Sequence, residues 1–438
     1  MNNQRLFFRF VLPSVMAFAL SGIYTVVDGF FVGNSLGDIG LAAINLAYPV
    51  AAFIQAVGTG IGLSGAIRYT ILGGQKKQNE KVNCFASTVM LLFFVSIFLT
   101  AFIVLALSSL IQLLGAKGPV CEPVKDYVEV IAAGAVLQIF ATGLIPFIRN
   151  LGGSSYAMFT MIAGFVTNII LDYLLVWVYD GGMAGAAWAT IIGQAVTMVA
   201  AVGYLIKKKI GFHIPVGHAL WKNCSAILKV AVAPFGLAFS SQITAIFMNR
   251  ALMFYGGAQS VAVYGCIAYI MAIVHLLLQG VGDGSQPLIS RYYGEEKAAL
   301  LKQTRRLAYI TSGVIALVFL TAVFLSRYQI GILFGASTET NGGVATYLPL
   351  FLSSLLFLAY TRTTTSFLYA TEKAGLSYLL VYIEPTTIFL LLQILPRIST
   401  LGIIGVWIAV PVTQLMTWCI AAAIIQYIDR RSLKALQV

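Results

Sequence analysis

The sequence predicts an all-α integral membrane protein of twelve transmembrane helices, arranged as two pseudo-symmetric six-helix bundles. Three observations carry this. Of 438 residues, 59% are hydrophobic and only 10% are charged, where a soluble chain carries about 25% charged residues. The apolar residues form runs of about 20–28, each long enough to cross a hydrocarbon core about 30 Å thick. The chain also repeats its own pattern at an offset near 220 residues.

The twelve runs fall at 10–33, 44–71, 84–110, 126–148, 156–179, 184–206, 229–255, 262–290, 305–326, 344–369, 376–395 and 402–427. Basic residues mark alternate connections. Arg5 and Arg9 precede run 1, and Arg68, Lys76, Lys77 and Lys81 flank the turn after run 2. Arg149 follows run 4, and Lys207, Lys208, Lys209, Lys222 and Lys229 lie between runs 6 and 7. Arg291, Lys297, Lys302, Arg305 and Arg306 follow run 8. Lys373 follows run 10, and Arg430, Arg431 and Lys434 follow run 12. The other connections hold only Lys117, Lys125, Arg327 and Arg397. This asymmetry is the positive-inside pattern. It places both termini in the cytoplasm, in the cytoplasmic (inner) cell membrane, and requires an even number of spans. The net charge of +12 is therefore a topology signal. It is no nucleic-acid patch, because the charges are split among short loops. Ala17-Phe18-Ala19 has the form of a signal-peptidase site, but the apolar run continues to Phe31, so run 1 reads as an uncleaved span.

The repeat is visible in particular residues. Pro13 and Pro234 each open a span. Ala56-Val-Gly-Thr-Gly60 faces Gly280-Val-Gly-Asp-Gly284, and Gln194 faces Gln414. A duplication of six spans preserves orientation, so an axis along the membrane normal relates the halves, with a substrate site between them. The expected division is a first bundle over 1–206, a basic linker over 207–228 and a second bundle over 229–438. Pro49, Pro234, Pro349, Pro385 and Pro411 are expected bending points.

Three polar residues stand out inside the spans. A carboxylate at the bilayer centre costs at least about 2.5–3.5 kcal/mol. Asp28 lies in run 1, and Asn168 and Asp172 lie four apart in run 5, a spacing that puts both on one helix face. A carboxylate beside an amide oxygen suits either a proton or a hard cation such as Na⁺. In the second half these positions fall near Asn249, Ile388 and Leu392, so the acids belong to the first half only. Gln55, Gln242, Gln279, His275 and Arg362 are candidates to line a central cavity. Asp283 and Pro287, in Gly280-Val-Gly-Asp-Gly-Ser-Gln-Pro287, mark an expected broken or bent helix with a gating role. Glu384 is a further cavity candidate.

Other chemistry is not indicated. The five cysteines form no C-x-x-C pair, so neither a disulfide framework nor a metal site of that kind follows. His213 and His218 read as solvated loop residues. There is no phosphate-binding G-x-x-x-x-G-K-[ST] run and no nucleophile motif, so the chain reads as no enzyme and needs no cofactor. An ion gradient of H⁺ or Na⁺ is left as the energy source, unless transport is passive.

These motifs carry a resemblance over nearly the whole chain. Pro13 followed by Asp28-Gly-Phe-Phe-Val-Gly33, then Gly37-Asp38-Ile-Gly, Asn168-Ile-Ile-Leu-Asp172, Gly182-Met-Ala-Gly-Ala-Ala-Trp-Ala-Thr190 and Gly282-Asp283-Gly-Ser-Gln-Pro287 resemble the multidrug and toxic compound extrusion (MATE) transporters, most closely the bacterial MepA-type branch. The resemblance implies a V-shaped cleft between the bundles. It also implies an antiporter that exports cationic amphiphiles by alternating access, acting as a monomer in the lipid bilayer. It implies a cation or proton site at Asp28, Asn168, Asp172 and Thr190, and it alone adds Thr190. Some branches carry acids on helices 7 and 10. Here helix 7 reads Pro234-Phe-Gly-Leu-Ala-Phe-Ser-Ser-Gln242-Ile-Thr244 and helix 10 offers Arg362, so the coupling falls to the N-terminal site. The alternative is a lipid-linked saccharide flippase of the same superfamily, which would need cationic residues in the cleft.

Overall fold

The structure is a computed structural model that describes residues 3–213, 215, 217–334, 336–398 and 400–435, without the side chains at 25, 26, 38, 218 and 431–435. Among the described residues every element is helical. In chain order we number twelve long helices. They are α1 (Asn3–Gly37), α2 (Ile39–Gly74), α3 (Gln78–Leu105), α4 (Cys121–Ala133 continued by Ala135–Asn150) and α5 (Ser154–Asp172, extended by a wide turn to Val178). Next come α6 (Gly182–Lys207), α7 (218–256), α8 (258–294), α9 (Ala298–Leu325) and α10 (Thr338–Ser353 continued by Leu355–Ala370). The last are α11 (Ala374–Ile394) and α12 (Ile403–Ala435). The stretch His218–Gly294 is one hydrogen-bonded run of 77 residues. At 1.5 Å per residue that is about 115 Å, several bilayer cores, so its break at Gly257 separates two spans.

The duplication is written into the backbone. Gly37 (φ 60°, ψ −151°) breaks α1 from α2, and Gly257 (φ 67°, ψ −170°), 220 residues later, breaks α7 from α8. Only glycine adopts this conformation without strain. Helix α4 bends by 57° at Gly134 and α10 by 46° at Ser354, again 220 apart. These two bends sit where one helix is spliced to the next. In the interior of α2, α7, α11 and α12 the prolines Pro49, Pro234, Pro385 and Pro411 ride within continuous helix.

One buried core draws on residues from Val32 to Ile227 and a second on Met248 to Val410. Two smaller clusters, one joining Leu63 and Ile67 to Phe367 and Ile424, the other joining Phe7 to Val281 and Leu288, tie the halves together. The outer surface is apolar, with Phe94, Phe98, Leu105 and Ile206 all exposed, as a lipid-facing surface requires. Helix resumes at His218, so the expected linker 207–228 is helical over its second half, and positions 214 and 216 within it lie outside the described residues.

The expected break at Gly280–Pro287 is absent: α8 runs unbroken through it. The glycines serve close packing instead. A Cβ on Gly280 would stand 2.6 Å from Val15 Cα, and one on Gly284 2.7 Å from Val11 Cα. Helices α1 and α8, from opposite halves, therefore touch backbone to backbone at the end that carries the basic loops. Gly284→Leu is expected to cost at least about 1–3 kcal/mol by overpacking. Maleimide should then reach a cysteine placed at Gln286 from that end faster in Gly284→Leu, in a background lacking the native cysteines. Unchanged protection would mean that the contact is dispensable.

Candidate functional site

Between the halves lies a cavity of about 600 Å³. Asp28, Gln55, Gln242, His275, Gln279, Asp283 and Arg362 all line it. The four candidates of the N-terminal site are split: Asp28 faces the cavity, while Asn168, Asp172 and Thr190 lie behind it, 2%, 0% and 7% exposed. Pro287 is buried in α8 and does not line this cavity.

The helices explain how the N-terminal site is assembled. Asn168 and Asp172 stack on the inward face of α5, and Thr190 faces them from α6, with Asn168 Nδ2 donating to Thr190 Oγ1 at 3.5 Å. The Asp28 carboxyl of α1 neighbours that of Asp172, and Tyr24 and Tyr127 lie beside Thr190. Immediately after Asp172 the helix widens, with Tyr179 N–H donating to Leu174 C=O five residues back at 2.9 Å. Ser35 Oγ of α1 donates to the Val176 carbonyl in that turn at 3.1 Å, pinning α1 to α5 beside the acids. Wide turns of this kind recur at functional sites.

The acceptors here are over-supplied. Asp28 Oδ1, both Asp172 oxygens and Asn168 Oδ1 are buried with no hydrogen-bond partner. A buried carboxylate in that condition is expensive. A proton shared by the two acids relieves the repulsion, and so does a hard cation held by their oxygens with Asn168 Oδ1 and Thr190 Oγ1. The donor set fits either. Among the described residues no three His, Cys, Asp or Glu side chains converge as a conventional metal cage.

Register with the second half sharpens this. At an offset of 220, Asp28, Asn168, Asp172 and Thr190 correspond to Met248, Ile388, Leu392 and Val410, which are 0%, 0%, 4% and 7% exposed. Asp28 thus pairs with buried Met248, one residue from the expected Asn249. The same scaffold is filled by apolar side chains in one half and by polar ones in the other. Packing alone does not call for the polar set.

The sequence missed Arg149, which it placed in a connection. The structure places it in the last turn of α4, 3% exposed and on the cavity floor. Its Nη1 lies 3.3 Å from Asp283 Oδ2 of the opposite half, and Tyr369 OH donates to Asp283 Oδ1 at 3.3 Å. Around this pair further bonds cross between the halves. Asn150 and Gln286 exchange amide bonds at 2.9 and 3.2 Å, and Arg68 Nη1 meets Glu372 Oε1 at 3.2 Å. A basic residue closing an apolar run whose acids, Asp126 and Glu129, lie only at its far end was the available signal. Also missed was the contact between Glu384 and Gln414, whose Nε2 donates to Glu384 Oε1 at 2.9 Å.

Residues 13–174 and 230–385 match the MatE family model, more than half of the chain and both repeats. The chain belongs to the MATE family of transporters. Curated relatives similar to it over most of both chains are named Multidrug export protein MepA. The Staphylococcus saprophyticus protein is 27% identical over 83% of this chain and 81% of its own. The Staphylococcus aureus (strain MSSA476) protein is 25% identical over 96% and 93%. Solved structures share the fold at 22% identity. A MOP superfamily transporter from Pyrococcus furiosus and an outward-facing MATE family transporter each have a TM-score of 0.91, covering 100% of this chain and 97% of theirs. In this MATE chain, as the geometry above has it, the polar cluster lies in the N-terminal half and the ion pair crosses the closed, basic end.

Proposed function

We propose that this chain is a multidrug efflux antiporter of the cytoplasmic cell membrane. It exports cationic amphiphilic compounds and is driven by inward movement of H⁺ or Na⁺ through alternating access. The observation that carries the reading is the cluster of partnerless buried acceptor oxygens at Asp28, Asn168 and Asp172, at positions where the other half is apolar. Export under the name of the MepA relatives supports the drug as cargo. The positive-inside pattern supports cytoplasmic termini.

In this reading the basic end is the cytoplasmic one, and the conformation described is outward-facing. The ion enters from outside and neutralises the Asp28–Asp172 pair, which lets α1 repack against α5. A cation bound in the cavity near Asp28 loses its counter-charge and leaves. A drug then binds from the other side once the Arg149–Asp283 contact parts. The cycle requires only that ion and drug favour different states. Asp283 acts as the gating residue through its pair with Arg149, and Pro287 supports the helix that carries it. The protein acts as a monomer, since both halves of the cavity come from one chain.

Ethidium efflux from proteoliposomes under a pH gradient alone, then under a Na⁺ gradient alone, tests the proposal. Efflux under one gradient names the ion. Efflux under neither, with folded protein, would sink the antiport and favour the lipid-linked flippase, whose pyrophosphate would need the cavity's arginines.

A further inference from the structure

We propose that one corner of the basic end holds the headgroup of an anionic phospholipid, where the α2–α3 turn, the end of α6 and the start of α7 meet. Short contacts bring these three pieces of chain together. A Cβ on Gly211, just past α6, would stand 3.2 Å from the Val82 side chain of α3. The Phe85 and Phe212 rings lie 6.2 Å apart, edge to face, and Asn223 Nδ2 of α7 donates to Ser87 Oγ of α3 at 3.4 Å. The α2–α3 turn brings Lys76, Lys77 and Lys81 to this corner, the end of α6 brings Lys207, Lys208 and Lys209, and α7 brings Lys222. Within these stretches the one acid is Glu80, 3.8 Å from Lys77 Nζ. Every one of the lysines but the half-buried Lys81 is exposed. Lys81 Nζ lies 4.5 Å from the Tyr69 ring centroid and Lys208 Nζ 5.5 Å from that of Tyr204, so these two ammonium groups rest on aromatic faces.

The corner lies at the depth of lipid headgroups. On α6, Val199, Val202 and Ile206 form an exposed apolar stripe on one helix face, and the lysines begin directly after it. On α7, Leu228 and Val232 are exposed beyond Trp221, which is 76% exposed. A tryptophan beside lysines at the end of a lipid-facing helix marks the interface, and clustered lysines there attract anionic lipid. Chain orientation does not explain the cluster, because the positive-inside pattern is indifferent to which half carries the charge. At an offset of 220, Lys76, Lys77, Lys81, Lys207, Lys208 and Lys209 correspond to Glu296, Lys297, Leu301, Tyr427, Ile428 and Asp429. The second half thus keeps one of these lysines and adds two acids. A local excess of ammonium groups, set against an apolar wall that takes acyl chains, is complementary to a phosphate-bearing lipid.

Native mass spectrometry of the full chain tests this, in detergent containing equal amounts of phosphatidylglycerol and phosphatidylcholine. The wild type is expected to retain phosphatidylglycerol in preference. Lys207→Gln/Lys208→Gln/Lys209→Gln, all at exposed positions, should lower the ratio of the two bound lipids roughly fivefold per lysine, about 100-fold in all. Lys297→Gln/Lys302→Gln/Arg306→Gln removes the same charge from exposed positions of the second half and should leave the ratio near that of the wild type. Tryptophan quenching locates the lipid. Dibrominated phosphatidylglycerol should quench the wild type more than dibrominated phosphatidylcholine, and Trp221→Phe should lose that difference. An equal fall in both triple variants would make the preference a matter of overall charge and overturn the proposal. So would a wild type that retains the two lipids equally, or quenching that does not depend on Trp221. Displacement of phosphatidylglycerol by millimolar inorganic phosphate would make this a site for a soluble anion and overturn the lipid as its occupant.

Discussion

Asp172→Leu is expected to abolish coupled export and leave the protein at least as stable as the wild type. Leucine is what the second half carries at this register: Leu392 is 4% exposed in the matching helix. The side chain therefore has a proven fit to this scaffold. In the first half, Asp172 is fully buried and neither of its oxygens has a hydrogen-bond partner. Exchanging a poorly compensated buried ionisable group for an apolar one of similar volume is commonly neutral or stabilising by about 1–4 kcal/mol. Efflux of ethidium should drop to the leak of protein-free liposomes, while the melting temperature in detergent holds or rises. Asp172→Asn should lose export equally, since it keeps the shape and removes the titratable oxygen. A large drop in melting temperature with Asp172→Leu would make the acid structural. Retained export would remove it from the coupling.

The second large effect is expected at the floor of the cavity. Asp283→Asn leaves Arg149 charged, 3% exposed and without its counter-ion. Breaking one side of a buried pair costs about 3–5 kcal/mol. Reversing a two-state population from 1:99 to 99:1 takes about 5.5 kcal/mol, so the loss is large enough to shift the equilibrium between closed and open basic ends. Spin labels at Lys76 and Glu296, exposed on turns of opposite halves, should report a longer and broader distance in Asp283→Asn. The double variant Arg149→Met/Asp283→Leu removes both charges and should recover much of the short distance, because apolar side chains fill the same space without an orphaned ion. An unchanged distance in the single variant would show that the backbone packing at Gly280 and Gly284 holds the closed end alone.

Much of this arrangement was legible in the residues. Hydropathy set the spans, because no other structure than a helix satisfies every backbone group in lipid without a partner. The offset near 220 was visible in Pro13 and Pro234 and in Gln194 and Gln414. The structure repeats it in the breaks at Gly37 and Gly257 and the bends at Gly134 and Ser354. The acids announced themselves by what they cost in an apolar run. The break expected from Gly280 to Pro287 failed for a physical reason. A helical glycine weakens a helix only when nothing is gained by its missing side chain, and here the absence of two Cβ atoms lets α1 lie directly on α8.

The sequence by itself determined the number of spans, the duplication, the side on which the basic loops gather and the asymmetry of the acids, since each follows from a local pattern and the bilayer's demand on it. Only the tertiary structure decided which polar groups meet. Arg149 and Asp283 are 134 residues apart and come from different halves. Arg362 and Glu384 lie on different helices, and Gln414, from a third, donates to Glu384 Oε1. Such contacts are set by how two bundles dock, a property of the summed packing of many apolar side chains, and no single stretch of sequence encodes it.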